Sequence, residues 1–210
     1  MISSFTSSIV NDSSINKNRL AIFASGSGSN AQKIMEHFHR HKQIEVALVV
    51  TNNPAATVLG RAKSFSISTY VHTADDMQDG HLLKRLVESG ISHIVLAGYL
   101  RKIPSKIIGG FGGKVINIHP ALLPKHGGKG MFGINVHRDV LKQRDKESGM
   151  TIHLVNDNYD EGQIILQTRC PVLPGDTPEK LAQRVLTLEH ANYATCIEKW
   201  ILRRNSKMIS

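Results

Sequence analysis

Asn117 and His119 stand two residues apart in Lys114-Val115-Ile116-Asn117-Ile118-His119-Pro120-Ala121-Leu122-Leu123-Pro124. The stretch begins as an apolar run and ends in two prolines, so it reads as a buried strand entering a fixed loop. Side chains at i and i+2 of an extended chain point the same way, and both polar groups should therefore face one pocket beyond the strand's end. The asparagine amide donates and accepts hydrogen bonds, and the imidazole holds a proton near neutral pH. Pro120 forbids continued pairing and biases His119 toward extended geometry. A strand end whose polar residues only satisfy loop backbone is the plainer alternative.

A second stretch bears on ligand binding. Residues 19–24 form an apolar strand candidate, followed at once by Ser25-Gly26-Ser27-Gly28-Ser29-Asn30 and a helical pattern over 31–41. A glycine-rich turn between strand and helix leaves backbone N–H groups pointing outward at the positive end of the helix dipole. Ser29 and Asn30 can cap the helix or bond a phosphate. The turn lacks the Gly-Lys-Ser/Thr of a P-loop and the third glycine of G-x-G-x-x-G. A phosphate site and a purely structural turn both fit these residues.

The elements that must position these groups follow in order. Strands are expected over 44–51, 68–71, 93–97, 114–119, 149–155 and 164–168. Helices are expected over 55–65, 79–88, 105–108 and 135–143, with a long one running to 204 behind the capping signature Asp176-Thr177-Pro178-Glu179. Strands alternating with helices predict an α/β fold, a doubly wound and mostly parallel sheet. In such sheets ligands sit beyond the carboxyl ends of the strands. The Gly-Ser loop, residues 98–103 and residues 117–124 should therefore line one crevice. Lys125 to Gly133 carries Gly127, Gly128, Gly130 and Gly133, and reads equally as a lid or a surface excursion. Between the last two strands lies the anionic turn Asn156-Asp157-Asn158-Tyr159-Asp160-Glu161-Gly162.

The 210 residues suffice for one large domain, expected over 19–205 behind a disordered Ser/Asn-rich tail over 1–18. That tail lacks the apolar core of a secretory signal, and no run reaches the ~20 apolar residues of a membrane span. Cytoplasm is the expected compartment. A formal charge of +9 suggests an anionic partner. The cations are dispersed and not interleaved with aromatics, which argues against a nucleic-acid platform. Cys170 and Cys196 fit no metal spacing and should be small buried residues. His126, His137 and His153 show no ligand spacing, and each reads as a surface or packing residue.

Gly28-Ser29-Asn30, Asn117-Ile118-His119-Pro120, Leu122-Leu123-Pro124 and Asp157-Asn158-Tyr159-Asp160-Glu161-Gly162 occur in this order. In this the chain resembles the glycinamide ribonucleotide formyltransferases of purine synthesis, over roughly Leu20 to Leu202. The resemblance implies a Rossmann-like formyltransferase fold with antiparallel C-terminal strands. It implies that Gly28, Ser29, Asn30 and Glu189 bind the ribonucleotide. Leu100, Arg101, Lys102, Ile103, Asn117, Asn156, Asp157, Asn158, Tyr159 and Asp160 would contact the folate. Asn117, His119 and Asp160 match the catalytic set. Without that match, Glu189 would read as one more solvated helix residue. Related formyltransferases carry a further domain, for which this length leaves no room. Residues 125–133 are longer than in the plainest family form, Glu161 replaces a commoner small residue, and residues 71–84 offer no evident folate-contacting arginine.

The implied reaction is attack of the ribonucleotide amine on the formyl carbon of 10-formyltetrahydrofolate, a co-substrate, through a tetrahedral oxyanion and without metal. Protonated His119 and the Asn117 amide would donate to that oxyanion. Asp160 would raise the imidazole pKa and help move the proton. The expected partners are these two small molecules, with neither nucleic acid nor membrane, for a monomer or homodimer. Three other readings compete. A hydrolase would use water as acceptor, a non-catalytic nucleotide-binding module would use only the Gly-Ser loop, and a nucleic-acid binder would bind with steep salt dependence.

Overall fold

In the computed structural model the described residues are 17–207, with side chains to residue 203. Residues 1–16 of the expected tail lie outside them, and Asn18 already belongs to the first strand. The chain runs β1 (Asn18–Phe23), α1 (Ser29–Phe38), β2 (Ile44–Thr51), α2 (Val58–Ser64) and β3 (Ser68–Val71). It continues through α3 (Ala74–Gln78), α4 (His81–Glu88), β4 (His93–Leu96), α5 (Ser105–Gly110) and β5 (Val115–His119). The last elements are α6 (Ile134–Lys142), β6 (Glu147–Leu154), β7 (Ile164–Pro171) and α7 (Pro178–Lys207).

The seven strands form one sheet in the order β3-β2-β1-β4-β5-β6-β7. The pairs from β3 to β5 are parallel, and β5–β6 and β6–β7 are antiparallel. The strand order reverses between β1 and β4, so the loops leaving their carboxyl ends diverge and leave a crevice. Ser25 ties the rims of that crevice together. Its N–H donates to the Gly98 carbonyl at 3.0 Å, and its hydroxyl accepts from the Leu100 N–H at 3.0 Å.

Alternation along β1 feeds two cores. Leu20 and Ile22 pack with Ile34, Met35 and Phe38 of α1 and with Leu181, Val185 and Ile197 of α7. Ala21 and Phe23 face the other way, against Leu82 and Leu86 of α4 and Ile107 of α5. Burial on both faces explains why the parallel strands read as nearly continuous apolar runs. No helix among the described residues is long and apolar enough to cross a membrane. Cys170 and Cys196 are both buried and unpaired.

Local details depart from the sequence reading. The helix expected over 79–88 is α4, and the structure adds the short α3 before it, where Thr73 and Asp76 form a capping box and Gly80, at φ 87°, separates the two helices. The expected cap of the long helix also shifts by one residue. Thr177 Oγ1 accepts from the Lys180 N–H at 3.3 Å, and Pro178 takes the first helical position, where no N–H is needed. The Asp176 carboxylate instead accepts from Leu173 N–H at 2.8 Å and from Arg184 at 2.6 and 2.9 Å.

Candidate active site

A cavity of about 830 Å³ opens at the carboxyl ends of β1, β4 and β5. Asn117 and His119 both line it, as their i, i+2 spacing required. The antiparallel register places His153 opposite Asn117 and Thr151 opposite His119. His153 Nδ1 lies 2.8 Å from the Leu154 carbonyl, which only accepts, so that nitrogen carries the hydrogen. In the neutral ring Nε2 then accepts from Asn117 Nδ2 at 3.2 Å. This bond pins the amide and leaves its Oδ1 and second hydrogen for the cavity.

His119 is 3% exposed. Its Nε2 donates to the His126 carbonyl at 2.8 Å, and its Nδ1 faces Asp160 Oδ2 at 3.6 Å. Burial lowers the proton affinity of the imidazole, and the Asp160 charge and the His126 carbonyl offset only part of that, with His153 and His126 adding to the lowering. The net pKa lies below the ordinary histidine value. Asp160 does push it upward, as expected, but desolvation of the charged ring outweighs a carboxylate 3.6 Å away.

Asp160 has φ 57°, a left-handed backbone that turns its carboxylate back under the loop. Its Oδ2 accepts from the Gly128 N–H at 2.9 Å, and its Oδ1 lies 3.6 Å from His153 Nε2. Burial pushes this carboxyl upward. The facing His153 and His119 rings, which favour its ionised form, and the Gly128 N–H together outweigh it and hold the group below the usual carboxylate range.

At the other end of the cavity Gly28, with φ 71°, leads into α1, and no side chain caps the helix. Ser29 and Asn30 line the cavity there, whereas Gly28 lies behind its wall. A Cβ on Gly28 would sit 2.4 Å from Val58 Cγ2, so glycine alone fits both the backbone and the space. Asn30 Nδ2 donates to Glu189 Oε2 at 2.5 Å, and Glu189 is only 7% exposed. Burial raises the Glu189 pKa, and the Asn30 bond counters part of the rise. Asn30 Oδ1 is buried with no hydrogen-bond partner among the described residues.

Leu100, Arg101, Lys102, Ile103, Asn156, Asn158 and Tyr159 also line the cavity. Lys102 Nζ stands 5.7 Å from the centroid of the Tyr159 ring. Asp157 is exposed and does not line it. Residues 128–133 form part of the wall, which decides against a plain surface excursion for that loop. Among the described residues no group of three or more His, Cys, Asp or Glu is placed to hold a metal ion.

Several contributors were not legible in the sequence. His126, His137 and His153, read there as surface or packing residues, have side chains 6%, 4% and 2–3% exposed and cluster around His119. Their grouping depends on strand register and loop path, which no local spacing encodes. Glu179, Gln183, Leu186 and Glu189 share one face of α7, a three-to-four-residue repeat that could have marked the whole face once Glu189 was singled out.

Residues 18–197 match the family described as "Formyl transferase". The chain is 40% identical over 188 residues to an Arabidopsis thaliana protein named phosphoribosylglycinamide formyltransferase, chloroplastic, a match covering 86% of this chain and 64% of that protein. It thus spans less than two thirds of that relative's length. An Escherichia coli (strain K12) phosphoribosylglycinamide formyltransferase is 33% identical over 195 residues, covering 90% and 89% of the two chains. The crystal structure of a phosphoribosylglycinamide formyltransferase from Brucella melitensis matches with a TM-score of 0.78 and 35% identity, covering 88% and 95%.

Proposed function

This chain belongs to the formyl transferase family, and from that premise we propose that it transfers a formyl group from 10-formyltetrahydrofolate to the amine of glycinamide ribonucleotide, a step of purine biosynthesis. The carrying observation is one cavity that joins the His119–Asp160 pair to the uncapped start of α1 and the buried Asn30–Glu189 pair.

The uncapped first turn of α1 at Gly28, Ser29 and Asn30 suits the phosphate, since free N–H groups and the helix dipole both favour an anion there. Glu189 accepts from the ribonucleotide's polar hydrogens. The rim from Leu100 to Ile103 and from Asn156 to Asp160 receives the folate. Leu100 and Tyr159 offer it half-exposed apolar surface, and the backbone groups between them offer hydrogen bonds. Asp157, which does not line the cavity, is left out of the folate contacts.

Catalysis divides among three side chains. The low proton affinity of His119 keeps the ring neutral at the start, with Nδ1 free of hydrogen. As the amine nitrogen bonds to the formyl carbon, Nδ1 takes the amine proton, and the ionised Asp160 stabilises the imidazolium that forms. The Asn117 amide donates to the oxygen on which negative charge develops. Collapse breaks the bond to the folate nitrogen, which leaves with the proton returned by His119. No step calls on a metal.

The partners in this reading are the two small molecules, with neither nucleic acid nor membrane, and the protein acts as a monomer or homodimer. We place the reaction in the cytoplasm, where the unpaired Cys170 and Cys196 would stay reduced. The test is formyl transfer from 10-formyltetrahydrofolate with and without glycinamide ribonucleotide. Turnover that requires the ribonucleotide supports the proposal. Turnover without it identifies a hydrolase, and none from folded protein sinks the enzyme reading.

A further inference from the structure

His126 touches His119 through its backbone and reaches away from the cavity with its side chain. Its Nδ1 lies 2.6 Å from Asp139 Oδ2, and its Nε2 lies 2.9 Å from Asp145 Oδ2. Carboxylate oxygens only accept, so both ring nitrogens carry hydrogens and the ring is an imidazolium held between two anions. Asp139 sits in α6 and Asp145 in the turn before β6, so the clamp bridges two elements. The other charged groups facing it are Lys125, whose Nζ is 3.3 Å from both Asp145 oxygens, and Lys142 near Asp139. The hydrogen bonds from His126 hold both carboxyls below their usual range.

We propose that His126 is a positioning residue for His119, its clamped side chain fixing the carbonyl that receives the His119 Nε2 hydrogen. His126 has φ 56°, a left-handed conformation unfavourable for an L-residue, so the carbonyl's inward direction needs an outside restraint. The clamp supplies it. With that carbonyl in place, Nε2 must be the protonated nitrogen of neutral His119, and Nδ1 is left free beside Asp160. Two residues on, the Gly128 N–H holds the Asp160 carboxylate, so one anchored loop sets both members of the pair.

The inference rests on the formyl-transfer reading only for the consequence that His119 moves a proton. The full-length protein tests it with His126→Phe, which has similar bulk and no donors. The expected result is a kcat lower by about 10–100-fold, with both KM values little changed. Nitrogen NMR of the histidine rings should show His119 passing from a single Nε2–H form to a mixture of tautomers. His126→Arg, able to donate to both carboxylates, should restore part of the loss. Should His126→Phe fail to fold, the double variant Asp139→Asn, Asp145→Asn gives the same readouts. Folded variants with wild-type kcat and an unchanged His119 tautomer overturn the proposal. If the wild type shows no ribonucleotide-dependent turnover, the functional reading fails, and the tautomer spectrum still decides the clamp by itself.

Discussion

Asn30 Nδ2 and Glu189 Oε2 are 2.5 Å apart, joining two buried side chains 159 positions apart in the chain. The bond links the first turn of α1 to the middle of α7, across the end of the cavity assigned to the ribonucleotide. Asn30 Oδ1 is left without a partner there, and burial raises the Glu189 carboxyl pKa. A buried carboxylate held by one neutral hydrogen bond adds little to stability, and in the proposed reading its spare bonding capacity serves the ribonucleotide.

Glu189→Gln should therefore weaken ribonucleotide binding while leaving the free protein at least as stable. The sign follows from the raised pKa: the folded state binds this proton more tightly than the unfolded state. The cost of ionising Glu189 sets in as pH rises through the ordinary carboxylate range and persists at neutral pH. Removing the charge removes that cost. Ribonucleotide KM should rise by about 10–100-fold, the worth of a hydrogen bond to a charged group. Steady-state kinetics and thermal melts of the two proteins check both halves.

His119→Asn and Asp160→Asn should each lower kcat by about 10²–10⁴-fold, the usual range for general acid–base groups. Their combined loss should be far less than the product, because the two side chains act on one proton. A multiplicative double variant would mean that the 3.6 Å pair is not a functional unit.

Acid should destabilise the fold between about pH 6.5 and pH 4. Burial pushes the His137 pKa down to about 4, helped by the neighbouring His119, and His119 itself is lowered from 6.5. Their contribution is complete above the unfolded value of 6.5 and is lost as pH falls toward the folded values, because the unfolded chain binds the extra protons. Each ring contributes at most about 1.4 kcal/mol per pH unit. The lowered Asp160 acts only in stronger acid, below its ordinary 3.8. Urea midpoints measured across this window should fall, and His137→Gln should flatten the slope.

Gly28→Ala should destabilise the fold by about 1–3 kcal/mol, since its Cβ meets Val58 Cγ2 at 2.4 Å on a left-handed backbone. It should also raise ribonucleotide KM by displacing the start of α1. Val58→Ala in the same chain removes the Cγ2 contact but leaves Val58 Cβ at 2.6 Å and the left-handed backbone, so only part of the stability should return. Full recovery would show that the remaining contact and φ 71° together cost little.

The sheet was legible because its information is local. Apolar runs over 44–51 and 114–119 coincide with β2 and β5 almost residue for residue, and each ends where Pro54 or Pro120 follows. Helix ends were less legible, since competing caps lie within one residue of each other at Asp176 and Thr177. The short α3 was not foreseen, although Thr73 and Asp76 form a capping box at its start.

The sequence by itself determined that Asn117 and His119 leave one strand on one face, and that a glycine turn opens a helix with free N–H groups. Strand alternation and glycine sterics act over a few residues, so no long-range contact is needed to foresee them. Only the tertiary structure decided what surrounds His119. His153 joins Asn117 through the antiparallel register of β6, 36 residues away, and His126 turns its carbonyl inward because Asp139 and Asp145 hold its ring from the other side. Burial then set the sign of the His119 shift, because the cost of desolvating a charge depends on every atom packed around it and not on the residue's neighbours in the chain.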